Sequence, residues 1–153
     1  MDVHLATPET AETIDLNPLE PVTIRILEDG SNTGHRAGLI QGWLPPGCSG
    51  PPQHIHREHD EMFFVVSGTV RFISGNEYVD VPAGELVTAP IGTPHTFANA
   101  SADQPATMLC TLTPDRFVNY FRELGALAAG DKKPSPDAIM DVMSHYATEP
   151  YQP

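Results

Sequence analysis

The sequence predicts a single all-β domain, an antiparallel sandwich or barrel followed by two helices, and three observations point there. Short β-branched and aromatic runs recur between residues 22 and 112, each closed by a Gly, Pro or Asn turn signal. Sixteen prolines and twelve glycines are scattered along the 153 residues, which suits a chain that turns often. After residue 113 the apolar residues fall at helical spacing instead. At this length, with 40% hydrophobic residues, the chain can fill one core but not two comfortable ones. The expected organisation is an N-terminal arm over 1–20, a barrel over 21–113 and a helical extension over 114–153.

Residues 1–20 mix Thr, Glu, Pro and Asp without a period and read as an arm or mobile tail. Residues 22–28 alternate well enough for a strand, as do 37–44, which Pro45-Pro46-Gly47 ends. Glu61 to Val66 and Thr69 to Ile73 are two strand-like runs separated by Ser67-Gly68, the pattern of a hairpin. Strands over 78–81, 86–89, 95–100 and 106–112 follow, spaced by turn signals such as Pro82-Ala83-Gly84-Glu85 and Pro90-Ile91-Gly92. Thr113-Pro114-Asp115 then offers a helix start: an N-cap hydroxyl, a proline at the first helical position and an acid in the first turn. Phe117, Phe121, Leu124 and Ala128 share one face of that helix, and Gly130 with Asp131-Lys132-Lys133-Pro134 stops it. Ser135-Pro136-Asp137 repeats the start signal, and Ile139, Val142, Met143 and Tyr146 form the second apolar stripe. Both stripes read as faces packed against the outside of the barrel, not as cofactor sites.

The formal net charge of −12 argues against nucleic acid and against an anionic membrane surface as partners, because both would repel the chain at long range. Two cysteines, Cys48 and Cys110, are too few for a disulfide framework and read as small buried apolar residues. No basic stretch leads into an apolar run at the N-terminus, and no segment approaches the roughly 18–20 apolar residues that cross a bilayer. A soluble cytoplasmic protein is expected.

The chemistry concentrates in HIHREHDE, residues 54–61. His54 and His56 are two apart, so on a strand both imidazoles point to one face. Glu61 has the opposite parity and rejoins that face only if residues 57–60 form a turn or bulge. Beyond it, Phe63 and Val65 follow the carboxylate, while Met62, Phe64 and Val66 take the other face. A strand apolar on both faces needs cover on both, from the second sheet, the helices or a second subunit, and a homodimer is expected. His59, placed in the turn, is expected to be exposed. Thirty residues on, Gly92 and Pro94 deliver His95 rigidly at a strand start. Three imidazoles and one carboxylate are the donors that suit a divalent first-row ion. Asn99 reads as a hydrogen-bonding turn residue and not a ligand.

These two stretches resemble the paired motifs of the cupin superfamily. The first reads His54, His56, Glu61, Gly68 and the second Gly84, Pro90, Gly92, His95, Asn99, with one departure: Cys48 stands where the first motif usually opens with Gly. The two-helix tail is similar to small quercetinase-like cupins. The resemblance implies a β-sandwich jelly roll holding one divalent transition metal (Fe, Mn, Ni, Co, Cu or Zn) on His54, His56, Glu61 and His95. It implies a dioxygenase for a small enolic or flavonol-like substrate, with Glu61 as the catalytic proton acceptor and Phe63, Val65, Phe72, Phe97 and Met108 as pocket wall. The alternatives it leaves open are a non-oxidative metal enzyme (isomerase, decarboxylase or polyketide cyclase) and a binding module without turnover.

Overall fold

The computed structural model of the chain describes residues 3–130 and 133–152. The strands in chain order are β1 (Glu12–Asp15), β2 (Thr23–Glu28), β3 (Gly38–Leu44), β4 (His54–His56), β5 (Asp60–Ser67), β6 (Thr69–Ser74), β7 (Glu77–Pro82), β8 (Leu86–Ala89), β9 (Thr96–Asn99), β10 (Ala106–Thr113) and β11 (Thr148–Pro150). Helices α1 (Val118–Ala128) and α2 (Pro136–His145) lie between β10 and β11. All pairing is antiparallel, in a six-stranded sheet β1-β2-β3-β10-β5-β8, a three-stranded sheet β7-β6-β9 and a two-stranded ribbon β11-β4. The expected all-β sandwich with two C-terminal helices is what the chain adopts.

Alternation fixes which faces meet. Along β10, Ala106, Met108, Cys110 and Leu112 are buried, and along β5, Glu61, Phe63 and Val65 are. Val70 and Phe72 of β6 and Val81 of β7 face them from the second sheet. Each such apolar side chain contributes roughly 1.5–3 kcal/mol on burial, so this inter-sheet layer is the main source of stability.

The runs on either side of Ser67-Gly68 do not form the expected hairpin. β5 pairs with β10 and β8, whereas β6 pairs with β7 and β9, so the chain crosses between sheets there. Gly68 makes the crossing possible: its φ is +74°, and an added Cβ would stand 2.7 Å from the Pro105 carbonyl oxygen and 2.9 Å from Ala106. The N-terminal arm also departs from expectation, because residues 12–15 form β1 and add an edge to the large sheet, with Ile14 buried.

The helix start at residue 113 differs in detail. Thr113 stays in β10, Pro114 is extended with ψ of 176°, and a short 3-10 turn, Asp115–Phe117, leads into α1 without a side-chain cap. The second start is as expected: the Ser135 hydroxyl oxygen accepts from the Ala138 N–H at 3.2 Å with Pro136 next to it. Gly130 follows α1, while Asp131 and Lys132 of the expected stop signal lie outside the described residues. Among the described residues no helix is long and apolar enough to cross a membrane.

Neither the helices nor the small sheet cover the outer face of β5. Leu109, Phe64 and Leu86 stand in one cross-strand row on that face, with Phe64 39% and Leu86 56% exposed and Val66 45% exposed beside them.

Candidate metal centre

Three chain segments converge on the cluster foreseen from sequence. β4 carries His54 and His56; residues 57–59 turn, and β5 opens with Asp60 and Glu61. His95 arrives just before β9, where reciprocal backbone hydrogen bonds lock it to His54: His54 N–H to His95 O at 3.1 Å and His95 N–H to His54 O at 3.0 Å. The ligating atoms of His54, His56, Glu61 and His95 all lie within 4.8 Å of one another, a set that could hold a metal ion. His56, Glu61 and His95 are buried, at 2%, 3% and 6% exposure.

Hydrogen bonds at the outer ring nitrogens decide how each imidazole presents itself. His54 Nδ1 donates to the Pro52 carbonyl and His95 Nδ1 to the Thr93 carbonyl, both at 2.9 Å. A carbonyl can only accept, so both protons sit on Nδ1. His56 Nδ1 meets Thr148 Oγ1 at 2.9 Å, and that hydroxyl gives its own hydrogen to the Tyr146 carbonyl at 3.2 Å. Its oxygen is therefore the acceptor, and His56 too carries its proton on Nδ1. The Nε2 atoms are left to face the cluster, and that of His56 is buried without a hydrogen-bond partner. Outer-ring anchoring of this kind orients metal-ligating histidines.

The electrostatics follow from proximity in a dry site. Burial pushes His54 down to about 4, helped by His56 and His95, so it is neutral at physiological pH. Burial likewise lowers His56. Burial works to raise the Glu61 carboxyl, but His56, His59 and His95 outweigh it and hold Glu61 well below the usual carboxylate range. Burial works to lower His95, but its 2.9 Å hydrogen bond to Glu61 Oε2 and the charge there raise it. Without an ion the cluster thus combines two imidazoles that burial favours as neutral, His54 and His56, with an ionised carboxylate that holds the proton of His95.

His59 is not the exposed turn residue expected. It is 4% exposed, its ring lies between His56 and Phe117 at centroid distances of 4.1 and 4.2 Å, and its Nε2 stands 3.6 Å from Glu61 Oε1 without a hydrogen-bond partner. The 3-10 turn after β10 brings Phe117 onto it, a contact that no local pattern encodes. Asn99 is the turn latch foreseen: its Nδ2 donates to the carbonyls of Leu44, Pro45 and Gln104, and its Oδ1 accepts from the Ser101 N–H. Cys48 and Cys110 are buried and free, and burial pushes both thiols up.

A cavity lined mostly by apolar side chains and partly open to solvent reaches His54 and Glu61. Phe63, Phe97 and Met108 line it as expected. Val65 and Phe72 do not: Val65 is fully buried between the sheets, and Phe72 packs on Phe63 at 5.2 Å and faces a different cleft. The face of α1 expected to pack on the outside of the barrel closes the cavity instead, through Tyr120, Phe121 and Leu124 with Phe117 just before them. Leu16 and Glu20, from the segment after β1, complete the wall. Burial pushes the Glu20 carboxyl up to about 7. Sequence patterns gave no hint of Glu20 or Thr148, since the cavity that Glu20 lines and the His56 ring that Thr148 anchors are built from residues remote along the chain.

Residues 43–112 match the family pattern of the Cupin domain. Comparison with curated protein sequences finds no match. Among solved structures, a predicted oxalate decarboxylase from Thermotoga maritima aligns with a TM-score of 0.62 at 19% identity, over 72% of this chain and 99% of that one. The polyketide cyclase RemF from Streptomyces resistomycificus aligns at 0.62 and 22% identity, over 72% of this chain and 79% of that one. A sugar phosphate isomerase of the cupin superfamily from Silicibacter pomeroyi aligns at 0.60 and 23%, over 72% and 75%. At these identities the likeness is one of fold.

Proposed function

From the premise of a cupin domain on a cupin fold, we propose that the chain is a metal-dependent enzyme for a small, apolar, enolisable substrate. The observation that carries this reading is the donor set: three imidazoles whose Nδ1–H groups are committed outward, converging with Glu61. An orphaned buried Nε2 on His56 is what a resident cation would satisfy. Neutral imidazoles with one carboxylate fit a divalent first-row ion, of which Fe, Mn, Ni, Co, Cu and Zn are all admissible. Bound there, the ion would polarise a substrate oxygen and, if redox-active, allow reaction with dioxygen.

The chain's own residues do the rest. His54, His56 and His95 hold position, and Glu61, ionised in this site, accepts the proton of the enol. Phe63, Phe97, Met108 and Phe117 exclude water from the enolate so formed. Among the described residues no Lys or Arg lines the cavity, so beyond the ion itself an oxalate or a sugar phosphate would find no side-chain countercharge, whereas an aromatic enol would not need one. With dioxygen as second substrate the reaction is a quercetinase-like ring or C–C cleavage. The non-oxidative form, cyclisation or isomerisation by the same proton transfer, draws support from the likeness to a polyketide cyclase.

Elemental analysis of the purified chain, of His56→Ala and of His95→Ala tests the reading. About one transition ion per chain, lost in both variants, is the expected result; no metal after reconstitution would overturn it. Oxygen uptake with flavonols then separates the oxidative form from the other. We also propose pairing of two copies over the apolar outer face of β5, which light scattering at micromolar concentration checks: a clean single-chain mass would refute it.

A further inference from the structure

The cavity has a second polar pole. Its wall is otherwise largely apolar, yet it includes Glu20, from the segment between β1 and β2, and Tyr120, from α1. Among the described residues neither side chain has a hydrogen bond or an ion pair, and both are half-buried, with burial raising the Glu20 carboxyl. Polar groups set on an apolar wall without a protein partner are free to pair with a ligand that displaces the solvent from them. The two are close enough for the charge on Glu20 to raise the Tyr120 phenol, and the charge on Glu61 raises it as well. The phenol therefore stands within electrostatic reach of both the metal-binding cluster and the Glu20 carboxyl.

We propose that Glu20 and Tyr120 are specificity-determining residues that receive a hydroxyl group at the end of the substrate remote from the cluster. The orientation rests on the function proposed above, in which the enol oxygens lie against His54 and Glu61. A hydroxyl fits the pair because it both donates and accepts: it gives its hydrogen to the carboxylate and takes one from the phenol. A phosphate or carboxylate at that end would meet Glu20 as a like charge once the latter ionises, and a bare hydrocarbon would leave both groups unpaired. The substrate class this describes is a hydroxylated aromatic with a chelating enol at its other end. A site built to hydrogen-bond a hydroxyl discriminates strongly against the analogue without it.

Two flavonols serve as probes: 3-hydroxyflavone and quercetin share the 3-hydroxy-4-keto end and differ in hydroxyl groups on the remaining rings. Each is titrated anaerobically by fluorescence into the metal-loaded full chain, into Glu20→Leu, Glu20→Gln and Tyr120→Phe, and into the metal-stripped wild type. The expected wild-type preference for quercetin is about tenfold or more. Glu20→Leu brings that ratio to about one while 3-hydroxyflavone binds as well as before or better, and Tyr120→Phe lowers the ratio in part. Glu20→Gln, isosteric and still able to hydrogen-bond, retains most of the preference and guards against misfolding as the cause. Equal binding of the two flavonols by the wild type, a preference that survives in Glu20→Leu, or no binding of either by the metal-loaded chain would each overturn the proposal. A hydroxyl preference abolished by Glu20→Leu in a chain that takes up no metal would uphold it while refuting the metal reading.

Discussion

The two halves of the cavity come from different parts of the chain. The half with the ligand-type residues, Pro51, His54, Glu61, Phe63, Phe97, Met108 and Cys110, lies within the segment that matches the Cupin domain. The other half, with Leu16, Glu20, Val22, Phe117, Tyr120, Phe121 and Leu124, lies outside it. In the first, His54, His56 and His95 each have an anchored Nδ1. In the second, Glu20 and Tyr120 have no side-chain partner among the described residues. The segment that matches the family pattern holds the candidate metal cluster, and in the reading proposed above the segments outside it select what reaches that cluster.

The comparison can be broken from either side. Gly125 lets α1 approach β1, because a Cβ there would collide with Ile14 Cγ2. Gly125→Leu should cost about 2–3 kcal/mol by overpacking, read by chemical denaturation, and should spoil the second half while metal content per folded chain is kept. Loss of metal in that variant would show that the halves are not separable. The converse change is Thr148→Val, which removes the acceptor for His56 Nδ1 and touches nothing in the second half. Metal affinity should fall about 10- to 100-fold in a competition titration, with Thr148→Ser restoring it.

Glu20 offers a milder test through pH. Its carboxyl is held up at about 7 in the folded chain against an ordinary value of 4.5, so the folded state binds that proton more tightly. Stability from this source is fully present below pH 4.5 and is lost as pH rises through 7. Its slope is at most about 1.4 kcal/mol per pH unit. Glu20 shares the cavity with Tyr120, His54, Glu61 and Cys110, and Glu20→Gln should remove its part of the slope from thermal melts taken between pH 4.5 and 8. An unchanged profile would place the carboxyl in water. The smallest effect is expected at Arg57 and Glu149, a pair about half exposed on each side. Arg57→Ala should cost about 0.5 kcal/mol or less, although it bridges β4 and β11, because solvent screens it.

The legible part of the site was legible because its signal is local. His54, His56 and Glu61 sit within eight positions, and strand parity alone puts the two histidines on one face and demands a turn before the carboxylate. Gly92 and Pro94 announce His95 in the same way. The fold class was readable from the strand runs, but the partner of each strand was not: Ser67-Gly68 looks like a hairpin turn until Ala106 and Pro105 are seen pressed against it. His59 was misread because turn residues are usually wet, and the residue that buries it, Phe117, is fifty-eight positions away. Glu20, Tyr120 and Thr148 were missed for a related reason, in that an amphipathic helix face and two polar residues in quiet segments have no period that names the cavity.

β11 has a consequence for how the protein is made. A ribosome delivers the chain from the N-terminus, so β4 is out long before the strand that pairs with it. The hydrogen bond that seats the His56 proton spans 92 residues and has to wait for Thr148. Until then His56 lacks the acceptor that fixes its tautomer, whereas the acceptors for His54 and His95, the carbonyls of Pro52 and Thr93, lie two residues away and are there at once.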